Sequence, residues 1–143
     1  MADSRNPYCR CLHYAANALA RNISRLSDEA FARTGLAPSL AFVLMTVNRS
    51  PGIQPSEVAE AMMLDPSTVT RLVEKLEGKA LVSRKTEGRT TLIHPTKSGS
   101  ALMPDLLAAW RKVAERYSAV LGRKNAAALT EQIYEAAVRL EGM

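Results

Sequence analysis

A chain of 143 residues, 47% of them hydrophobic and with a formal net charge of +5, is long enough for one domain with a core of its own. No apolar run approaches the ~20 residues needed to cross a membrane. The opening Met1-Ala2-Asp3-Ser4-Arg5-Asn6-Pro7 lacks the basic-then-apolar order of a secretory signal, so no membrane partner and a cytoplasmic location are expected. The charge is unevenly placed. Residues 1–70 hold six Lys/Arg and six Asp/Glu, residues 71–99 seven and three, and residues 100–143 six and five. The cationic excess therefore sits in the middle segment, which points to a polyanion as partner.

Residues 1–8 read as a loose arm. From Cys9 to Arg33 the pattern is helical: Leu12, Ala16, Leu19, Ile23, Leu26 and Ala30 step by fours and threes, a seam suited to lengthwise packing on another helix. Gly35 ends it. Pro38 to Arg49 is a short apolar helix carrying Leu40, Phe42, Val43, Leu44, Met45 and Val47, placed to act as a central post, and Ser50-Pro51-Gly52 breaks it.

Residues 54 to 89 read as one device. Gln54 to Met62 opens a helix with Pro55 at its first position and Glu57 facing the positive helix end. Met63-Leu64-Asp65 turns the chain, and Pro66 to Glu77 restarts it on a new axis, with Asp65 as cap and Pro66 in the first helical position. Val69, Leu72, Val73 and Leu76 form one buried stripe, and Val58, Ala59 and Met62 face it from the first helix. The outer face is left to Ser67, Thr68, Thr70, Arg71, Glu74 and Lys75. Leu81 to Thr86 and Thr90 to His94 then lean to strand, separated by Glu87-Gly88-Arg89.

After this hairpin, Thr96 caps a long helix with Leu102, Leu106, Ala109, Val113 and Val120 along one side and Pro104 near its first turn. Gly122 separates it from a last helix bearing Leu129, Ile133, Ala136 and Leu140. The fold class that follows is mainly α with a small β-hairpin wing. It is a single domain over residues 1–143, in which helices 9–34 and 97–141 flank a winged helix-turn-helix at 36–96. The terminal helices carry more apolar surface than one monomer needs, so they are read as dimerisation helices and a homodimer is expected.

The residues Ser56-Glu57-Val58-Ala59, Asp65 to Val73, Leu76-Glu77, Leu81-Val82-Ser83-Arg84, Arg89 and Thr96-Lys97-Ser98-Gly99, in combination, resemble the MarR family of bacterial winged-helix transcriptional regulators. The terminal helices extend the resemblance over nearly the whole chain. It implies a sequence-specific DNA-binding regulator, a repressor released by a small ligand or by thiol oxidation, that binds a near-palindromic operator in double-stranded DNA. Pro66, Ser67, Thr68, Thr70, Arg71 and Lys75 of the second helix and Arg84, Lys85 and Arg89 of the wing are the expected DNA contacts. By the same resemblance Phe42, Met45 and Trp110 line a space for a small aromatic effector. The chain departs from the family at Met63 and Ala80, where glycine is usual. If either backbone is left-handed there, the side chain costs on the order of 1 kcal/mol. The wing is also short, with Glu87-Gly88-Arg89 in place of the family's Asp-Arg-Arg.

Catalysis has little support. His13 and His94 lie far apart with no nucleophile or hydrolase pattern near either, and no resident cofactor or metal is implied. Cys9-Arg10-Cys11-Leu12-His13 has three readings: two reduced thiols at the start of a helix, a redox sensor built on Cys9 or Cys11, or a metal sensor with Cys9 and His13 sharing one helical face. Some MarR-type peroxide sensors carry a reactive cysteine in their first helix. The tyrosines that accompany it there are missing from Leu36 to Phe42. From another functional class, the rival is a winged-helix module that docks on protein without specific DNA binding, which would show an apolar or acidic patch in place of the cationic helix and wing.

Overall fold

The computed structural model describes residues 5–143. In chain order it contains α1 (Leu12–Phe31) with a single 3-10 turn (Ala32–Thr34), α2 (Pro38–Arg49), α3 (Pro55–Met62), α4 (Pro66–Gly78), β1 (Val82–Glu87), β2 (Thr90–Pro95), α5 (Lys97–Ala101), α6 (Met103–Leu121) and α7 (Arg123–Glu141). Residues Asp28–Trp110 form one compact unit. The two ends of the chain, up to Ser27 and from Arg111, form another.

The central unit is built on α2. Leu40, Ala41, Val43, Leu44 and Val47 are buried on it, and it packs against α3, α4, α5 and β2. The expected post is therefore present, but Phe42 and Met45 are only half-buried while Ala41 is fully enclosed. Phe42 meets Phe31 edge-on, with ring centroids 5.9 Å apart. On α4 the stripe Val69, Leu72, Val73 and Leu76 is buried as its spacing predicts.

Both helices of the helix-turn-helix end alike. Leu64 N–H donates to Ala59 O (3.0 Å) and Met63 N–H to Glu60 O (3.2 Å); after α4, Leu81 N–H donates to Leu76 O (3.0 Å) and Ala80 N–H to Glu77 O (2.9 Å). These crossed pairs satisfy the last carbonyls of each helix only if the residue between them is left-handed. Met63 (φ 53°) and Ala80 (φ 59°) are. Each turn thus holds a side chain in a region that favours glycine.

The hairpin pairs Val82 with Pro95 through to Glu87 with Thr90. Glu87 is thus the last residue of β1 and not part of the loop, which is tightened to Gly88-Arg89, with Gly88 at φ +64°. A glycine at the first of two loop residues matches the twist of antiparallel strands. Ile93 N–H and Ile53 O (2.9 Å) add a one-residue bridge that ties β2 to the chain before α3.

A second correction concerns the helix after the wing. It is not continuous: α5 stops at Ala101 and α6 begins at Met103. Pro104 has no N–H to complete the ladder, so the break falls just before it. Thr96 caps α5 as expected, accepting from Gly99 N–H (3.0 Å), and its own hydroxyl donates to Ala80 O (2.6 Å). Thr96 N–H also donates to Leu81 O (3.0 Å). Gly99 lies so close that a Cβ there would overlap the Leu81 carbonyl oxygen. From α2, Asn48 accepts the Ser100 hydroxyl (2.9 Å) and holds α5 from the other side.

In the terminal unit, α1 starts at Leu12 and not at Cys9. The Asn6 side chain accepts Tyr8 N–H (3.0 Å) and donates to the Tyr14 hydroxyl (3.0 Å), and Cys11 N–H donates to Tyr8 O (2.8 Å). An Asn-Pro turn of this kind competes with helix, and it leaves Cys9 and Cys11 ahead of α1. The terminal seams are unevenly covered. Val113 and Ala126 are buried, but Leu12 is 72%, Val120 84%, Ile133 46% and Leu140 57% exposed. Between α1, α6 and α7 runs an apolar groove of about 650 Å³ lined by Leu12, Leu19, Ile23, Leu129 and Ile133 among others.

Two substitutions test these junctions by chemical denaturation at matched protein concentration. Ala80→Gly should raise stability by up to about 1 kcal/mol, since the left-handed penalty outweighs the entropy glycine adds to the unfolded chain. Gly99→Ala should lower it by about 1–3 kcal/mol, because the added methyl must displace backbone.

Candidate nucleic-acid interface

The outward face of α4 follows from its inward one. With Val69, Leu72, Val73 and Leu76 buried, Pro66, Ser67, Thr70, Arg71, Glu74 and Lys75 are exposed. Asp65 stands at the capping position in extended conformation, yet its side chain makes no capping hydrogen bond; Pro66 occupies the first turn as expected. The free N–H groups of that first turn therefore point to solvent beside Ser67, a setting that favours an anion.

Thr68 is half-buried on the flank of α4, off the outward face, and accepts a long hydrogen bond from Arg71 Nη2 (3.4 Å). The Thr70 hydroxyl donates back to Pro66 O (3.0 Å), which leaves its oxygen lone pairs outward as acceptors. Arg71 is exposed one turn from the helix start, where it has the reach and the forked donors for a guanine edge. Glu74 shares this face, a carboxylate that the expected contact set did not include. Its exposure between Arg71 and Lys75 is visible in the sequence spacing alone.

On the wing the two faces diverge. Side chains alternate along β1, so Val82 and Arg84 lie on one side and Lys85 on the other. Val82 is buried and the rest of β1 is exposed. Arg84 accordingly turns toward α4, where Nε donates to Glu77 Oε2 (3.2 Å) and Nη2 to Glu77 Oε1 (2.9 Å). This forked ion pair joins the end of α4 to the wing. Hydrogen bonding from Arg84 holds the Glu77 carboxyl below its ordinary range, and Glu77 in turn raises Arg84. Among the described residues no carboxylate stands within 4.0 Å of Arg71, Lys75, Lys85 or Arg89. Arg89 sits at the exposed tip of the hairpin. Of the five cations expected to face DNA, four are thus without an acidic partner among the described residues, and one is engaged within the protein. The parity of Val82 and Arg84 carries the signal for that pairing.

The other expected groups lie elsewhere. Cys9 and Cys11 belong to the terminal unit, neither joined in a disulfide. Cys9 precedes α1, so the idea that it shares a helical face with His13 fails. Among the described residues no three His, Cys, Asp or Glu side chains are grouped to hold a metal ion. Of the residues expected to line an effector space, Phe42 and Met45 are half-buried in the central unit and Trp110 is 51% exposed. No single helix among the described residues is long and apolar enough to cross a membrane.

Two helices joined by a three-residue turn, the second bearing an outward polar and cationic face, followed by a two-stranded wing, define a winged helix-turn-helix protein. Residues 36–87 match the model of the MarR family. The HTH-type transcriptional repressor MdtR of Bacillus subtilis (strain 168) is 28% identical over 132 residues, 88% of this chain and 85% of that protein. The structure of CouR from Rhodococcus jostii RHA1 bound to p-coumaroyl-CoA is similar at 25% identity with a TM-score of 0.76, covering 88% of this chain and 91% of CouR. CouR bound to a 23-mer DNA duplex superimposes with a TM-score of 0.81 at 23% identity, over 96% of this chain and 99% of that one. Through residues 36–87, which match its model, and through relatives alike over most of their length, the chain is similar to the MarR family of winged helix-turn-helix transcriptional regulators.

The Arg84–Glu77 pair has a pH signature. Because the folded-state pKa of Glu77 is depressed, its contribution is present above the ordinary glutamate range, about 4.3, and is lost as pH falls through the lower folded value. Carboxyl titration by carbon-13 NMR should place Glu77 below the ordinary glutamate range, and Arg84→Met should raise it.

Proposed function

We propose that this protein is a sequence-specific transcriptional repressor that binds a near-palindromic operator as a homodimer, with α4 as reader and the wing as clamp. The observation that carries this reading is the outward face of α4: Ser67, Thr70, Arg71 and Lys75 exposed together, their cations without acidic partners among the described residues. A protein-docking module would show an apolar or acidic surface there. The repressor sign is supported by MdtR, a repressor similar over most of the chain. Reaching chromosomal DNA requires a cytoplasmic location, and the work is binding, not catalysis.

The dimer reading rests on Leu12, Val120, Ile133 and Leu140, apolar side chains left exposed on the terminal helices. Exposed apolar seams at helical spacing are stable only when covered, and a two-fold partner covers them while presenting a second α4 to the next half-site. Release would follow binding of a small aromatic ligand or oxidation of Cys9 or Cys11. The ligand route has support in CouR, whose structure holds p-coumaroyl-CoA.

Within α4 and the wing the roles separate. Ser67, Thr70 and Arg71 lie in the first two turns, the part of a recognition helix that meets base edges; Thr68 steadies Arg71 from the flank. Lys85 and Arg89, on the hairpin, reach phosphates or the flanking minor groove. On a panel of operator variants at two salt concentrations, Arg71→Ala should cost about 1–3 kcal/mol on the preferred sequence and relax preference at one base position per half-site. Arg89→Ala should weaken good and poor sequences alike and flatten the dependence on salt. The reverse pattern would exchange reader and clamp.

A further inference from the structure

Beyond the level of Ile93, where β2 is tied to Ile53, the wing has little to fix its angle. Beyond Val82 every residue of β1 is exposed, and the deepest anchor on β2 is Ile93, opposite Arg84. From that level outward, Lys85 to Arg89 are exposed and Thr90 to Leu92 only half-buried. The last tie between the hairpin and α4 is the forked contact of Arg84 with Glu77 (3.2 and 2.9 Å). Glu77 lies in the final turn of α4, where a carboxylate faces the negative end of the helix. Its placement there is unfavourable unless a cation meets it, and Arg84 does.

We propose that Arg84 is a positioning residue and not a phosphate contact: with Glu77 it braces the wing at a set angle to the end of α4, so that Lys85 and Arg89 meet the backbone flanking the base edges that α4 reads. The inference rests on the DNA-binding reading above and revises the role expected of Arg84 within it. The guanidinium presents its fork to a carboxylate of the same chain, in a geometry that fixes direction as well as distance. An exposed pair of this kind adds little to global stability. Its effect is local, at the hairpin, so melting temperature is not the readout.

The brace and its alternative predict opposite signs for one substitution. Glu77→Gln keeps the shape of the side chain but removes its negative charge and frees Arg84. If Arg84 were a phosphate clamp held back by Glu77, affinity would rise. If it is a brace, affinity falls.

The experiment uses the full chain and a duplex that the wild-type protein itself selects from a random pool. Amide hydrogen exchange on the free protein should be faster at residues 84–91 in Glu77→Gln, with protection in α2 and α4 unchanged. Affinity for the selected duplex should drop about three- to tenfold, in the lower part of the coupling range for residues in direct contact. Arg84→Lys keeps the charge but loses the fork and should fall by a similar factor. The exchanged pair E77R/R84E should return both exchange and affinity to near wild type. Tighter binding by Glu77→Gln, unchanged hairpin exchange, or full affinity in Arg84→Lys each overturns the brace. A wild-type chain that selects no duplex overturns instead the DNA-binding reading on which it rests.

Discussion

The arrangement depends on the backbone junction where α4 ends. There Ala80 turns left-handed, Leu81 N–H closes the helix onto Leu76 O, and Thr96 returns from the far side of the wing to bond both Ala80 O and Leu81 O. Gly99 lets α5 lie directly on the Leu81 carbonyl. Four constraints meet within two residues, and together they set the end of α4, the root of β1 and the start of α5. Thr96 satisfies both carbonyls, and the absence of a side chain at Gly99 lets α5 close onto the second of them. The exposed face of α4 is aimed by this junction as much as by its own buried stripe.

Much of this was legible in the sequence because the signals were local. The stripe Val69, Leu72, Val73 and Leu76, the prolines Pro38, Pro55 and Pro66 at helix starts, and Gly35 and Gly122 at helix ends act within one or two turns of where they stand. The Thr96 cap belongs to the same class, though its second bond, to Ala80 across 16 residues, does not. What escaped were competitions between neighbours and pairings across the fold. The Asn6-Pro7 turn removed the first three residues from the expected helix, and Pro104 divided the helix after the wing. Arg84 read as one more cation until the parity of β1 turned it onto Glu77. Thr68, counted on the outer face, sits at its edge because a helix face narrows where Leu72 and Val69 are drawn in.

The two compact units divide the work in the reading proposed. Asp28–Trp110 carries the reading helix, its wing and the junction that aims them. The terminal helices leave apolar seams uncovered, with Val120 84% exposed and Ile133 46%. A second copy of the chain would cover them and present a second α4. Any effector then needs only to favour one spacing of the two reading helices over another, since a shift of population requires nothing more than a difference in affinity between two states.

The most direct measurement of the central claim is selection of duplexes from a random pool, followed by a footprint of the bound sequence and the mass of the bound species. The account predicts two symmetric half-sites about 10 base pairs apart, centre to centre, held by a species of twice the 15.6 kDa chain mass. A selected sequence with a single half-site bound by one chain, or no enriched sequence at all, would contradict it.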